Sequence, residues 1–242
     1  MTTLPRLPAD ESSTYYQSPV DIRPQAVDTG PLPALRFDHP ARTDLSVRYS
    51  EPDRSRRAPT EATVRAEPPP GRDFLLTVGA GTYRLADVHW HTPSEHTVGG
   101  VTFPLEQHMK YVRADDGDQV PPEGEPDGGG HYAVVAAFVH PGDPNPALDR
   151  LLCAASKDTS PHPVPDVEFD ALLPACTESY RYTGSTTAYP YLPGVRWHLL
   201  THPVQATAAA IAHYRSIFPD GDARAVQPLG RRRIHGDRHR WW

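Results

Sequence analysis

The stretch from Leu85 to Val112, LADVHWHTPSEHTVGGVTFPLEQHMKYV, restricts what this chain can fold into more than any other. His89 and His91 lie two apart in a run, Tyr83–His91, that reads as a strand. Successive strand side chains alternate between faces, so both imidazoles leave the same face. In the second half Glu106, His108 and Lys110 share one face of a further strand, while Gln107 and Met109 take the other. Thr92-Pro93 and Gly99-Gly100, between the two runs, are turn chemistry that lays the second strand beside the first and brings a third imidazole to the first two. Three neutral imidazoles leave one tetrahedral position open, the pattern of catalytic rather than structural zinc. With 13 His in 242 residues an H-x-H pair alone is weak; the weight lies in the wording of the whole stretch.

That wording, V-H-W-H-T-P-S-E-H-T-V and then L-E-Q-H-M-K, closely resembles the alpha-class carbonic anhydrases, with their H-x-H run, S-E-H-T-V and E-L-H. The resemblance implies that His89, His91 and His108 are zinc ligands, that Glu95 is the buried acid of the site, and that Glu106 stands behind the third ligand. Asp87 occupies the position behind the first ligand, where the family usually has glutamine. Three further blocks carry the likeness. Gln17–Ile22 (QSPVDI) matches Q-S-P-[IV]-[ND]-I, Tyr180–Thr187 (YRYTGSTT) resembles Y-x-Y-x-G-S-L-T-T, and Asp222–Leu229 (DARAVQPL) resembles N-A-R-P-V-Q-P-L. Thr187 then matches the gatekeeper threonine. Val134, Val195 and Trp197 match pocket-wall positions, and Lys110 and Thr186 stand on the same wall where the family has valine and leucine. The fold implied is mainly β, a single domain over 17–231 built on a large twisted, mostly antiparallel sheet with a few short surface helices. An N-terminal extension, 1–16, and a basic C-terminal tail, 232–242, flank it.

The activity implied is zinc-dependent, reversible hydration of carbon dioxide to bicarbonate by zinc-bound hydroxide, with Thr187 accepting the hydroxide's hydrogen bond and donating its own proton to Glu95. The family's proton-shuttling histidine, in N-G-H-T, falls on Ala62 when aligned back from Thr63-Val64. Slow turnover is therefore expected, unless His39 or another histidine folds near the mouth. Ala188 and Tyr189-Pro190-Tyr191 depart from T-P-P-C, so the disulfide that bacterial extracytoplasmic members often form through that cysteine has no counterpart. These departures, with Lys110 and Thr186, leave two alternatives open: a non-catalytic zinc-binding interaction module related to carbonic anhydrases, or a zinc esterase.

Composition bounds the partners. A formal charge of −6 argues against general nucleic-acid binding, and only the tail, RRRIHGDRHRWW, is basic. Two cysteines make no disulfide framework, the first residues hold no apolar signal run, and no stretch is long enough to span a membrane, so a cytoplasmic location is the expectation. Strands are expected in Leu35–Tyr49, Ala62–Ala66, Phe74–Val78 and Tyr132–His140. Helices are expected over Pro144–Ser156 and from Thr207 to Phe218. Cys153 in the first helix is read as a buried apolar residue, and the acidic 115–130 stretch as a surface loop or disorder.

Overall fold

The computed structural model describes residues 16–51, 62–114, 130–189 and 191–237. The N-terminal extension before Tyr16, most of the acidic 115–130 stretch and the last five residues of the tail lie outside them. Alternating apolar residues produce fifteen strands among the described residues. Short pieces come first: β1 (Asp21–Ile22), β2 (Asp28–Gly30) and β3 (Arg36–Asp38). Next are β4 (Arg42–Ser50), β5 (Thr63–Glu67), β6 (Leu75–Val78) and β7 (Gly81–His91). After β8 (Thr97–Val98) come β9 (Leu105–Arg113), β10 (Tyr132–Pro141) and β11 (His162–Glu168). The last are β12 (Ser179–Ser185), β13 (Pro193–Leu200), β14 (Val204–Ala206) and β15 (His235–Asp237).

The main sheet runs β11-β4-β5-β7-β9-β10-β13-β12-β15-β2. Neighbours along this path are antiparallel except β10 with β13 and β15 with β2. This is the large, mostly antiparallel sheet expected. Two helices cover it: α1 (Pro146–Ala154), capped by the Asn145 side chain on the Leu148 N–H, and α2 (Ala208–Ile217), capped by Thr207 on the Ala210 N–H. Both caps satisfy an amide that the first helical turn leaves without a partner. In α1 the buried stripe is Leu148, Leu151 and Leu152, and Cys153 lies one residue past it, about 100° around the helix, where it is exposed. The reading of Cys153 as buried is therefore corrected.

Two apolar clusters lie on opposite faces of the sheet. The larger includes Tyr83, Val88, Trp90, Met109 and Tyr111 with both helices; the smaller holds Val20, Val134, Ala136, Tyr182, Val195 and Trp197. A change of phase in β7 places the histidines opposite the larger cluster. Tyr83 and Leu85 enter that cluster, but after a register shift between Leu85 and Asp87 the even-numbered Val88 and Trp90 do so instead. A bulge leaves one residue, Ala86, without a paired partner and so reverses the alternation. Asp87, His89 and His91 turn to the other side as a consequence. Without the bulge, the strand could not bury Tyr83 and Leu85 on one face and present both histidines on the other.

The smaller face is tied together by Ser18. Its hydroxyl oxygen accepts from the Tyr182 hydroxyl at 2.8 Å and from the Ser185 N–H at 3.1 Å, and its N–H donates to Ser185 Oγ at 3.0 Å. Arg224 closes the arrangement, donating to Ser18 O at 2.6 Å and Gln17 Oε1 at 2.8 Å. Blocks of sequence up to 207 residues apart thus meet at one point. Gly184 is required there because a Cβ would collide with Ser18 Oγ and stand 2.8 Å from the Tyr182 ring. Gly184→Ala is expected to lower stability by about 1–3 kcal/mol through overpacking. The measurement is the denaturant midpoint at constant slope; an unchanged midpoint would show that Ser18 and Tyr182 give way without cost.

Candidate metal centre

The antiparallel register pairs His89 with His108 and Asp87 with Lys110. Together with the same-face position of His91, it brings three imidazoles to one spot. Ring centroids stand 5.2 Å (His89–His91), 5.1 Å (His89–His108) and 4.9 Å (His91–His108) apart, and one nitrogen from each falls within 4.8 Å of the others.

Carboxylates behind the rings decide which nitrogens face inward. His89 Nδ1 is 2.6 Å from Asp87 Oδ1. Burial opposes charge on Asp87, but the attraction and hydrogen bond of His89, with Arg65 and Lys110 nearby, hold its carboxyl down to about 2. Burial, against the pull of Asp87, pushes His89 down to about 3. Asp87 is therefore the ionised acceptor and His89 a neutral ring with its proton on Nδ1. In the same way His108 Nε2 meets Glu106 Oε1 at 2.7 Å. Burial of Glu106 is outweighed by His96 and His108, which hold its carboxyl well below the usual carboxylate range. With both rear nitrogens held by carboxylates, the front nitrogens, His89 Nε2 and His108 Nδ1, face each other at 3.3 Å.

His91 completes the set. Both of its nitrogens and Glu95 Oε2 are buried without a hydrogen-bond partner. Asp222 Oδ2 lies 3.6 Å behind His91 Nδ1, and Glu95 Oε2 lies 3.7 Å from His91 Nε2 and 3.9 Å from His108 Nδ1. Unpaired buried polar atoms are costly. A cation held among the three inward nitrogens removes that penalty at His91, and an all-imidazole donor set suits zinc. The residues present fit that metal.

The surroundings anchor these groups. Glu106 also accepts from the His96 N–H at 2.7 Å and contacts His96 Nδ1 at 2.7 Å; His96 Nε2 contacts the Tyr182 hydroxyl, which donates to Ser18. His108 is thereby wired to the N-terminal motif. Glu95 Oε1 accepts the Arg224 N–H at 2.9 Å, and Asp222 Oδ1 accepts the Thr92 N–H at 2.7 Å. Burial, with Glu95 adding to it, pushes the Asp222 carboxyl up to about 6 against the pull of His91 and the Thr92 N–H. His96, Tyr182, Asp222, Arg224 and Arg65, whose Nη1 is 3.5 Å from Asp87 Oδ2, were not singled out from sequence. His96, Tyr182, Asp222 and Arg224 lie inside the quoted motifs, which were the available signal.

Val134, Val195 and Trp197 lie together beside His108. Val134 and Trp197 pair across β10 and β13 on the His108 face, Val195 lies two residues from Trp197, and the Trp197 ring is 5.0 Å from the His108 ring. All three are buried. Lys110 faces the same side, with its Nζ 5.0 Å over the Tyr132 ring. Thr186 acts within its own turn, donating to Ala188 O at 2.8 Å and accepting the Leu192 N–H at 2.9 Å. Thr187 is half-buried in the same turn, and Glu95 Oε2 makes no hydrogen bond to it. His39 is on the opposite face, 4.8 Å from Phe169 and stacked at 6.1 Å on Tyr111. Tyr111 alternates with Lys110 and points away from the site, so His39 lies on the face away from the histidine triad.

Comparison with known proteins agrees with this geometry. A family model described as eukaryotic-type carbonic anhydrase matches residues 7–237. The carbonic anhydrase of Pectobacterium carotovorum is 34% identical over 176 residues, 72% of this chain and 66% of that protein, just under two thirds of its length. That of Nostoc sp. is 28% identical over 221 residues, 90% of this chain and 74% of the relative. Among solved structures, the alpha-carbonic anhydrase of Photobacterium profundum superposes with a TM-score of 0.74 at 26% identity, covering 94% of this chain and 90% of that one. The Thermovibrio ammonificans enzyme, in complex with the inhibitor sulfanilamide, has the same fold at a TM-score of 0.75 and 24% identity, covering 91% and 87%. The chain belongs to the eukaryotic-type, or alpha, carbonic anhydrase family.

Proposed function

We propose that this chain catalyses the reversible hydration of carbon dioxide to bicarbonate with zinc held by His89, His91 and His108. The observation that carries the reading is the convergence of one nitrogen from each ring to within 4.8 Å of the others, with His89 Nε2 and His108 Nδ1 at 3.3 Å beside the unpaired His91 ring. Zinc bound there supplies a Lewis acid that brings the pKa of a coordinated water to near 7, an effect for which carbonic anhydrase is itself the reference case.

The chain's own residues do the rest. Asp87 and Glu106 fix the ring orientations and make the ligands more basic. Glu95, held through Oε1 by the Arg224 amide, keeps Oε2 available as the acceptor for the Thr187 hydroxyl, which orients the attacking oxygen. Val134, Val195 and Trp197 form an apolar wall suited to a substrate with neither charge nor dipole. Lys110 and Arg65 partly neutralise Asp87 at the edge of the site. Hydration joins a water oxygen to the carbon and releases one proton per turnover. Ala62 is half-buried against the larger cluster and carries no titratable group, so that proton leaves through solvent buffer.

Two measurements test this. Stopped-flow hydration assays on zinc-loaded protein are expected to show activity that His108→Ala abolishes together with the zinc held by the triad. Full zinc occupancy with no hydration would favour the non-catalytic binding module. The second concerns the proton: at saturating carbon dioxide, turnover is expected to rise with the concentration of a small buffer such as imidazole. Fast, buffer-independent turnover in the starting protein would show that another group carries the proton.

A further inference from the structure

A second group of ligand-bearing side chains lies at the far end of the same strands. Cys176 and Glu178 precede β12 and His202 follows β13, so all three gather where the antiparallel β12–β13 pair ends, beyond the Ser179–Leu200 pairing. Thr186 and Thr187 lie past the other end of β12, seven residues or about 20 Å along the strand, so this group is separate from the histidine triad. One ligand atom from each of Cys176, Glu178 and His202 lies within 4.8 Å of the other two. Ligands around tetrahedral zinc sit roughly 3.4–3.8 Å apart given metal–ligand distances of about 2.0–2.3 Å. Small side-chain rotations therefore close the set.

The backbone holds Glu178 beside the Thr201-His202 segment without a metal. The Glu178 carbonyl accepts both the Thr201 N–H at 2.9 Å and the Thr201 hydroxyl at 3.1 Å, locking residue 178 against residue 201. That bond uses the only proton of the Thr201 hydroxyl. Its oxygen also lies 3.1 Å from His202 Nδ1, and so acts there as the acceptor. With that donor order His202 carries its proton on Nδ1, and Nε2 is the nitrogen left for a metal. A ring whose rear N–H is held by an oxygen is the usual state of a metal-bound histidine. All three residues are at least partly open to solvent, so a metal ion can reach them.

We propose that Cys176, Glu178 and His202 form a second divalent-metal site of zinc type, which staples the segment entering β12 to the segment leaving β13. Binding breaks the Cys176 S–H bond, sends the proton to solvent and forms a thiolate–metal bond. The Glu178 carboxylate and His202 Nε2 each donate a lone pair, and water fills the remaining position. Sulfur sets this site apart from the all-nitrogen triad, and the two can be read separately.

The test uses the full chain and metal alone. Equilibrium dialysis against zinc is expected to give two ions per chain, falling to one in Cys176→Ser with hydration activity unchanged. Cobalt-loaded protein is expected to show a thiolate-to-cobalt charge-transfer band in the near ultraviolet. The band should persist in His108→Ala and Cys153→Ser, and disappear in Cys176→Ser and in His202→Ala, a change at an exposed position that spares the fold. One ion per chain in the starting protein, a band that survives Cys176→Ser, or a band that is lost in Cys153→Ser would overturn the proposal.

Discussion

Two ring nitrogens brought to 3.3 Å of each other, His89 Nε2 and His108 Nδ1, are the constraint around which this molecule is arranged. Each ring is held there from behind by an ionised carboxylate buried with it. Those carboxylates are themselves costly to bury and depend on further partners. Asp87 relies on Arg65 and Lys110, and Glu106 on His96. His96 leads through Tyr182 to Ser18, so the metal centre and the N-terminal motif share one chain of hydrogen bonds.

This arrangement carries more negative charge near the ligands than the family pattern does. Asp87 stands where the resembled sequences have the neutral amide of glutamine, and Asp222 where N-A-R-P-V-Q-P-L has asparagine. A carboxylate thus lies behind each of the three rings, with Glu95 a fourth beside them. The positive groups supplied in return are Arg65, on the strand paired with β7, and Lys110, opposite Asp87. The two exchanges belong together, since a lysine on an otherwise apolar wall is explained by the aspartate it faces.

Much of this was legible in the sequence because strand alternation is a two-state code: His89 with His91, and Glu106 with His108 and Lys110, share faces as read. The phase change at Ala86 was not legible, since the residues on either side of it alternate equally well with or without a bulge. Long-range partners such as Asp222 and Arg224 escape local periodicity altogether; only the motif around them marked the segment. Cys153 was misread because composition says that cysteines are commonly buried, whereas the helical angle from Leu152 sets its exposure. His39 was offered as a shuttle without knowledge of its face, and strand β9 places its contact, Tyr111, on the opposite side. The part that Thr186 plays in closing its own turn depends on Ala188 and Leu192 and was not legible either.

The claim on which everything else depends is that three imidazoles, oriented by carboxylates, hold the metal. X-ray absorption at the zinc edge, on the Cys176→Ser chain loaded with one equivalent of zinc, reads the ligand set directly. Three imidazole nitrogens and one oxygen, all at about 2.0–2.1 Å, are predicted. Fewer than three imidazoles, or sulfur scattering in the first shell, would contradict the account.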